Sequence, residues 1–100
     1  MDAVLKNLNK QELLYLKENS VVNGRNQKIG YFDNEFLCNL NEQKLGFYMG
    51  NGLFNFQKQQ IGKVENSSLI NLNGQSIMTI EGKTEEDRAK ISLAFFFFLQ

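Results

Sequence analysis

The sequence predicts an all-β domain. Five antiparallel β-hairpins close, or nearly close, into a small barrel or ring, with one C-terminal hydrophobic helix packed inside or against it. Three observations predict it. A sixteen-residue pattern recurs five times without insertion or deletion, so that Leu13, Ile29, Leu45, Ile61 and Ile77 share one column. Asn7, Asn23, Asn39, Asn55 and Asn71 share a second, and Gln11, Gln27, Gln43, Gln59 and Gln75 a third. Every connection within the repeat is short and polar, which leaves no room for a crossover helix and makes ten successive strands an antiparallel meander. The last stretch, Ile91–Leu99, is apolar all the way round a helix.

The hairpins read as apolar strand, polar turn, apolar strand over Val4–Leu16, Val21–Phe32, Leu37–Tyr48, Leu53–Val64 and Leu69–Ile80. Asn71 opens the last turn, where its side-chain oxygen reaches the backbone two residues on in an Asx-type turn. Asn73-Gly74 supplies the two residues most tolerant of positive φ, as a tight hairpin needs. The Gln column follows the turn at solvent, where a Gln ladder across neighbouring strands is one arrangement. Between hairpins lie equally short links: Lys17-Glu18-Asn19-Ser20, Asp33-Asn34-Glu35, Gly50-Asn51-Gly52 and Glu65-Asn66-Ser67. An open meander of this kind would leave two bare edges, so closure is the expected outcome. Gly30, Gly46 and Gly62 follow the Ile/Leu column in three successive units, while Leu14 and Met78 hold that phase in the outer two. A strand glycine repeated at one phase predicts a shared bend or a close approach.

The register stops at Gly82. Thr84 followed by Glu85, Glu86 and Asp87 reads as an N-cap with an acidic first turn, which the helix dipole favours. The expected division is a single domain over residues 1–100, with hairpin repeats over 4–81 and a helix over 84–99. Four consecutive phenylalanines, Phe95–Phe98, sweep about 400° of a helix. Nine residues rise only about 13 Å, against about 30 Å for a bilayer core. A tilted strand of four or five residues covers about 10–14 Å. Ile91–Leu99 is therefore expected to plug the space enclosed by the hairpins. Packing across one open face and pairing with a second protomer are the alternatives.

The chain offers little for catalysis. Of 100 residues, 42% are apolar, and 11 basic residues balance 11 acidic ones. The basic residues are scattered in sequence, so no nucleic-acid footprint is expected. There is no His, the commonest general base and metal ligand. Cys38 is alone, which excludes an internal disulfide, and its apolar strand setting predicts a buried thiol. Glu12, Glu18, Asp33, Glu35, Glu42, Glu65 and Glu81 fall in turns and strand ends, with no apolar setting to raise one of a pair for acid catalysis. No glycine-rich phosphate loop, metal cluster or activated serine is present, so neither an enzyme nor a cofactor is expected. No apolar leader is apparent at the N-terminus, and a cytoplasmic location is expected. The aromatic column Tyr15, Tyr31 and Phe47, continued by Lys63 and Thr79, is the candidate partner-binding site. Facing out it forms a stripe suited to protein, peptide or sugar; facing in it is packing.

The runs Leu53-Phe54-Asn55-Phe56-Gln57-Lys58-Gln59-Gln60-Ile61-Gly62 and Leu37-Cys38-Asn39-Leu40-Asn41-Glu42-Gln43-Lys44-Leu45-Gly46 resemble the four-fold beta flower proteins, small all-β proteins of short hairpins about a pseudo-symmetry axis. That resemblance covers residues 4–81, implies no catalytic residues, and departs from the family in having five units and a Phe-rich tail. Asp87-Arg88-Ala89-Lys90-Ile91-Ser92-Leu93-Ala94 looks similar to the closing helix of the tubby, LURP-one and phospholipid scramblase-related group, which implies a membrane-lipid association. The expected function is thus a non-catalytic binding or scaffold module with a protein partner. A membrane-lipid-associated barrel is the alternative.

Overall fold

A computed structural model describes all residues, Met1–Gln100. Ten strands form one closed antiparallel barrel: β1 Ala3–Lys6, β2 Glu12–Lys17, β3 Ser20–Asn23, β4 Lys28–Asp33, β5 Phe36–Asn39, β6 Lys44–Met49, β7 Gly52–Asn55, β8 Gln60–Glu65, β9 Ser68–Ile70 and β10 Ser76–Gly82. Each strand pairs with its neighbours in sequence, and β1 closes the ring on β10 from Ala3↔Gly82 to Lys6↔Thr79. Closure satisfies both edges of the meander with backbone partners. The molecule measures 32 × 30 × 23 Å, two near-equal long axes and a short one, as a ring of five hairpins should.

The Asn and Gln columns belong to one device. In all five loops the Asn side-chain oxygen accepts the backbone N–H of the Gln four residues on, at 2.9–3.0 Å. In four loops it also accepts the N–H two residues on. Its Nδ2 then donates to the Gln side-chain oxygen at 2.8–3.1 Å in every unit. The Gln column is therefore an in-loop partner rather than a ladder between strands. The turn also differs from a two-residue tight hairpin. A backbone bond returns from Lys10, Asn26, Glu42, Lys58 and Gly74 to the Asn carbonyl, and only these residues in each loop have positive φ, 62° to 80°. A turn followed by one left-handed residue closes each loop.

The Leu/Ile column has an equally local cause. Register slips once in every hairpin, and the unpaired residue is Leu13, Ile29, Leu45, Ile61 or Ile77. Each is the extra residue of a β-bulge. Ile29, Leu45, Ile61 and Ile77 pack against the core, so the bulge lets two successive residues serve the interior.

The helix α1, Glu85–Phe98, enters where β10 ends at Gly82 and runs through the ring toward the Asn loops. Thr84 caps it, its hydroxyl accepting the Asp87 N–H at 3.0 Å, and Glu85 and Glu86 are exposed. Ala89–Ala94 are buried, among Leu5, Leu14, Leu16, Val21, Leu37, Leu53, Leu69 and Ile80 from the wall. Fourteen residues rise about 21 Å, more than the wall alone covers. The four phenylalanines consequently sit half-buried at the loop-side mouth rather than at the centre of the plug.

Those rings explain the glycine column. A Cβ on Gly30 would stand 2.6 Å from the Phe98 ring, one on Gly46 2.9 Å from Phe97, and one on Gly62 2.8 Å from Phe96. The same Cβ would also press on a backbone carbonyl: Cys38 at Gly30, Phe54 at Gly46 and Ile70 at Gly62. Three consecutive helix residues thus lay their rings on three consecutive hairpins. At the other two positions the wall supplies its own side chain, Leu14 or Met78, both in the core packing.

Candidate functional site

The Tyr15–Tyr31–Phe47 column faces outward, because the residues alternating with it, Leu14/Leu16 and Gly30/Phe32, are buried inside. The three rings do not form one uniform stripe. Tyr15 donates its hydroxyl to Glu12 at 2.9 Å, and that bond holds the phenol above its ordinary range. Tyr31 lies under Lys28, whose Nζ is 5.2 Å from the ring centre. Its phenol is raised by burial and then by Cys38, the buried free thiol opposite it in register. Phe47 alone gathers other rings, meeting Phe36 edge-on at 5.9 Å and stacking on Phe54 at 5.1 Å.

Around Phe47 the loop of the following hairpin overhangs β6 and makes a groove of about 540 Å³. Its apolar lining is Phe36, Phe47, Met49 and Phe56, with Lys44 and Lys58 as cationic members, and Glu35 and Tyr48 complete it. Met49 is 67% exposed and Phe56 52%. Lys44 rests its Nζ 4.4 Å over the Phe36 ring.

At the opposite face of the wall, Tyr48 joins barrel to helix. Its hydroxyl donates to Glu86 at 2.7 Å, and Lys90 approaches the same carboxylate at 3.4 Å. Burial first, and then the Glu86 hydrogen bond, push the Tyr48 phenol far above its ordinary value. The Tyr48 hydrogen bond first, and then Lys90, hold Glu86 below the usual carboxylate range. Lys90 is itself 8% exposed, donates to Asn19 at 2.9 Å and lies 5.8 Å from the Phe32 ring centre. This network anchors the first turns of the plug to two hairpins and has the character of a structural clamp. No group of three or more His, Cys, Asp or Glu side chains converges to hold a metal, and no helix is long and apolar enough to cross a membrane.

The family model described as 5-fold beta-flower protein matches residues 1–99. The chain belongs to that five-fold beta-flower family. The resemblance to four-fold beta flowers is thereby corrected: five hairpins close the barrel, the first of them, β1 and β2, pairing with β10 of the fifth and β3 of the second. The likeness of the C-terminal segment to the tubby, LURP-one and scramblase-related group gives way to the same match, which runs through the helix. No curated protein matches the chain, and no solved structure does. The chain is a small beta-flower domain without a catalytic constellation.

Within the beta-flower ring the groove over Phe47 is the departure from five-fold likeness. The Met49 position holds Lys17, Asp33, Glu65 and Glu81 in the other units, and the Phe36 position holds Val4, Ser20, Gly52 and Ser68. A corresponding groove in the first unit is lined by Glu12, Tyr15, Lys17, Gly24 and Asn26, and is polar. Aromatic content along one column pointed to Phe47 but missed Phe36, Met49, Phe56, Lys44 and Lys58. The signal for Phe36 and Met49 is the same alignment read across columns, since both positions are large and apolar in the third unit alone, while Phe56 shares an apolar loop column with Leu8, Leu40 and Leu72.

Proposed function

We propose that this chain is a non-catalytic binding module that recognises a protein partner through its outer aromatic face, centred on Phe47 and extending toward Tyr31 and Tyr15. The observation that carries the reading is the exposure of Met49 and Phe56 beside a stacked Phe47–Phe54 pair. An exposed apolar cluster of this kind is costly to keep in water and suits the centre of an interface, where aromatics and Met are enriched. The barrel wall supports it rigidly, since every strand is paired on both sides. The test is affinity capture with the wild type and with Met49→Asp/Phe56→Ser, both on exposed side chains that the barrel does not need. A stoichiometric protein partner held by the wild type and lost by the variant supports the reading. Equal capture by both, or none by either, contradicts it.

A further inference from the structure

We infer that the groove over Phe47 takes a protein segment that inserts one aromatic or aliphatic side chain and sets an acidic residue beside it. The inference rests on the binding-module reading above and adds the chemistry of the partner.

The pseudo-symmetry supplies an internal control. Each unit has an equivalent place between a wall strand and the loop of the next hairpin, and the groove found there in the first unit is lined by Glu12, Tyr15, Lys17, Gly24 and Asn26. If apolar lining were needed for packing, all five would have it. Instead four units place a charge where the third has Met49, and the residues equivalent to Phe36 are small or aliphatic, whereas the Phe56 position is apolar in three other loops, as Leu8, Leu40 and Leu72. Phe36 and Met49 therefore answer to something outside the chain.

The geometry narrows what that is. The groove is concave and of about 540 Å³, within the usual range for sites that enclose inserted groups. A bilayer would ask for protruding apolar tips, and the exposed loop residues of that kind, Leu8, Leu40 and Leu72, lie outside this groove. No strand edge is free in the closed barrel, so a partner cannot add a strand and must bind through side chains. Charge supplies the second requirement. Lys44 and Lys58 are both exposed, and neither forms an ion pair within the chain, which leaves both free to meet a partner's carboxylate at this groove. Glu35 is the one acidic residue at the groove, and register places it at the end away from Lys44. A carboxylate beside the anchor meets Lys44 and Lys58, and the position of Glu35 orients the segment. A second copy of this chain, docked groove to groove about a two-fold axis, would set lysines against lysines.

The experiment selects random short peptides displayed on phage against the intact protein, then measures one synthetic representative by titration. The expected result is a consensus of an aromatic or large aliphatic residue next to Asp or Glu. Its affinity should fall about tenfold or more with Lys44→Glu/Lys58→Glu and recover when the peptide acid is changed to Lys. Met49→Asp should abolish binding, with thermal unfolding of each variant checked against the wild type. Peptides without acidic preference, unaffected by the lysine changes, overturn this inference and leave the binding module standing. No selected peptide at all overturns both. Concentration-dependent dimerisation blocked by Met49→Asp, or sedimentation with anionic vesicles blocked by it, also overturns the inference.

Discussion

Replacing single glycines of the inner column with alanine probes the fit between plug and wall. At Gly46 an added methyl meets the Phe97 ring at 2.9 Å and, closer still, the Phe54 carbonyl oxygen, which belongs to the paired strand and cannot rotate away. Overpacking costs about 1–3 kcal/mol in general, and a backbone neighbour puts Gly46→Ala at the upper end, about 3 kcal/mol. At about 4–8 °C per kcal/mol for a domain of this size, Tm should fall by at least about 12 °C. Gly62→Ala is milder: the carbonyl stands at 3.0 Å and the closest atom, at 2.8 Å, is the tip of the Phe96 ring. A loss of about 1–2 kcal/mol is expected there. Phe96→Leu should recover about 1 kcal/mol of it in a double-mutant cycle, whereas Phe97→Leu should recover little at Gly46. Gly24, with open space around it and no positive φ, is the control, and its alanine variant should be neutral or slightly stabilised. Urea unfolding of the seven variants, singles and doubles, reads all of these. Alanine at Gly46 and Gly62 behaving as it does at Gly24 would refute the steric account of the column.

Three further outcomes follow from named contacts. Glu86 is depressed in the folded state, so its contribution is present above the ordinary carboxylate range and lost as pH falls through its folded value. Tyr48 is raised, so its contribution is full below about pH 10 and declines as pH rises beyond. The stability advantage of the wild type over Tyr48→Phe, followed by denaturant unfolding across pH, should therefore peak near neutrality and shrink on both sides; a constant difference contradicts the clamp. In the loops, Asn39→Ala removes both backbone acceptance bonds and the Gln43 partner, and should cost about 1–2 kcal/mol against about 0.5–1 for Gln43→Ala. Equal costs from chemical denaturation would mean the side-chain pair dominates the loop. Ser92 Oγ is buried without a hydrogen-bond partner, so Ser92→Ala should raise Tm by removing about 1 kcal/mol or more of desolvation cost, as a calorimetric scan would read.

Much of this architecture was legible in the residues because repetition makes local chemistry visible. The uninterrupted register and short links fix hairpin number and antiparallel order, and Thr84 with its acidic turn marks the helix start to the residue. What escaped was relational. A column of Leu and Ile does not announce that it is the bulged residue, since that depends on which cross-strand partner is skipped. The left-handed residues Lys10, Glu42 and Lys58 carry no glycine signature, and only Gly74 does. The pairing of Gly30, Gly46 and Gly62 with Phe98, Phe97 and Phe96 is invisible until the helix runs antiparallel to the order of the hairpins. Four-fold rather than five-fold kinship was inferred from motifs that hairpin loops share widely, and the count of units was the better guide. The candidate site was half legible: Phe47 stood out among aromatics, while Met49 matters only against the four charges that replace it elsewhere.

The most direct measurement is a set of nuclear Overhauser contacts between selectively labelled phenylalanine rings and glycine α-protons. The account predicts Phe96 to Gly62, Phe97 to Gly46 and Phe98 to Gly30, with those glycine protons moved upfield by the rings lying on them. Rings that contact no glycine, or that contact them in another order, would contradict a helix threaded through the five-hairpin ring.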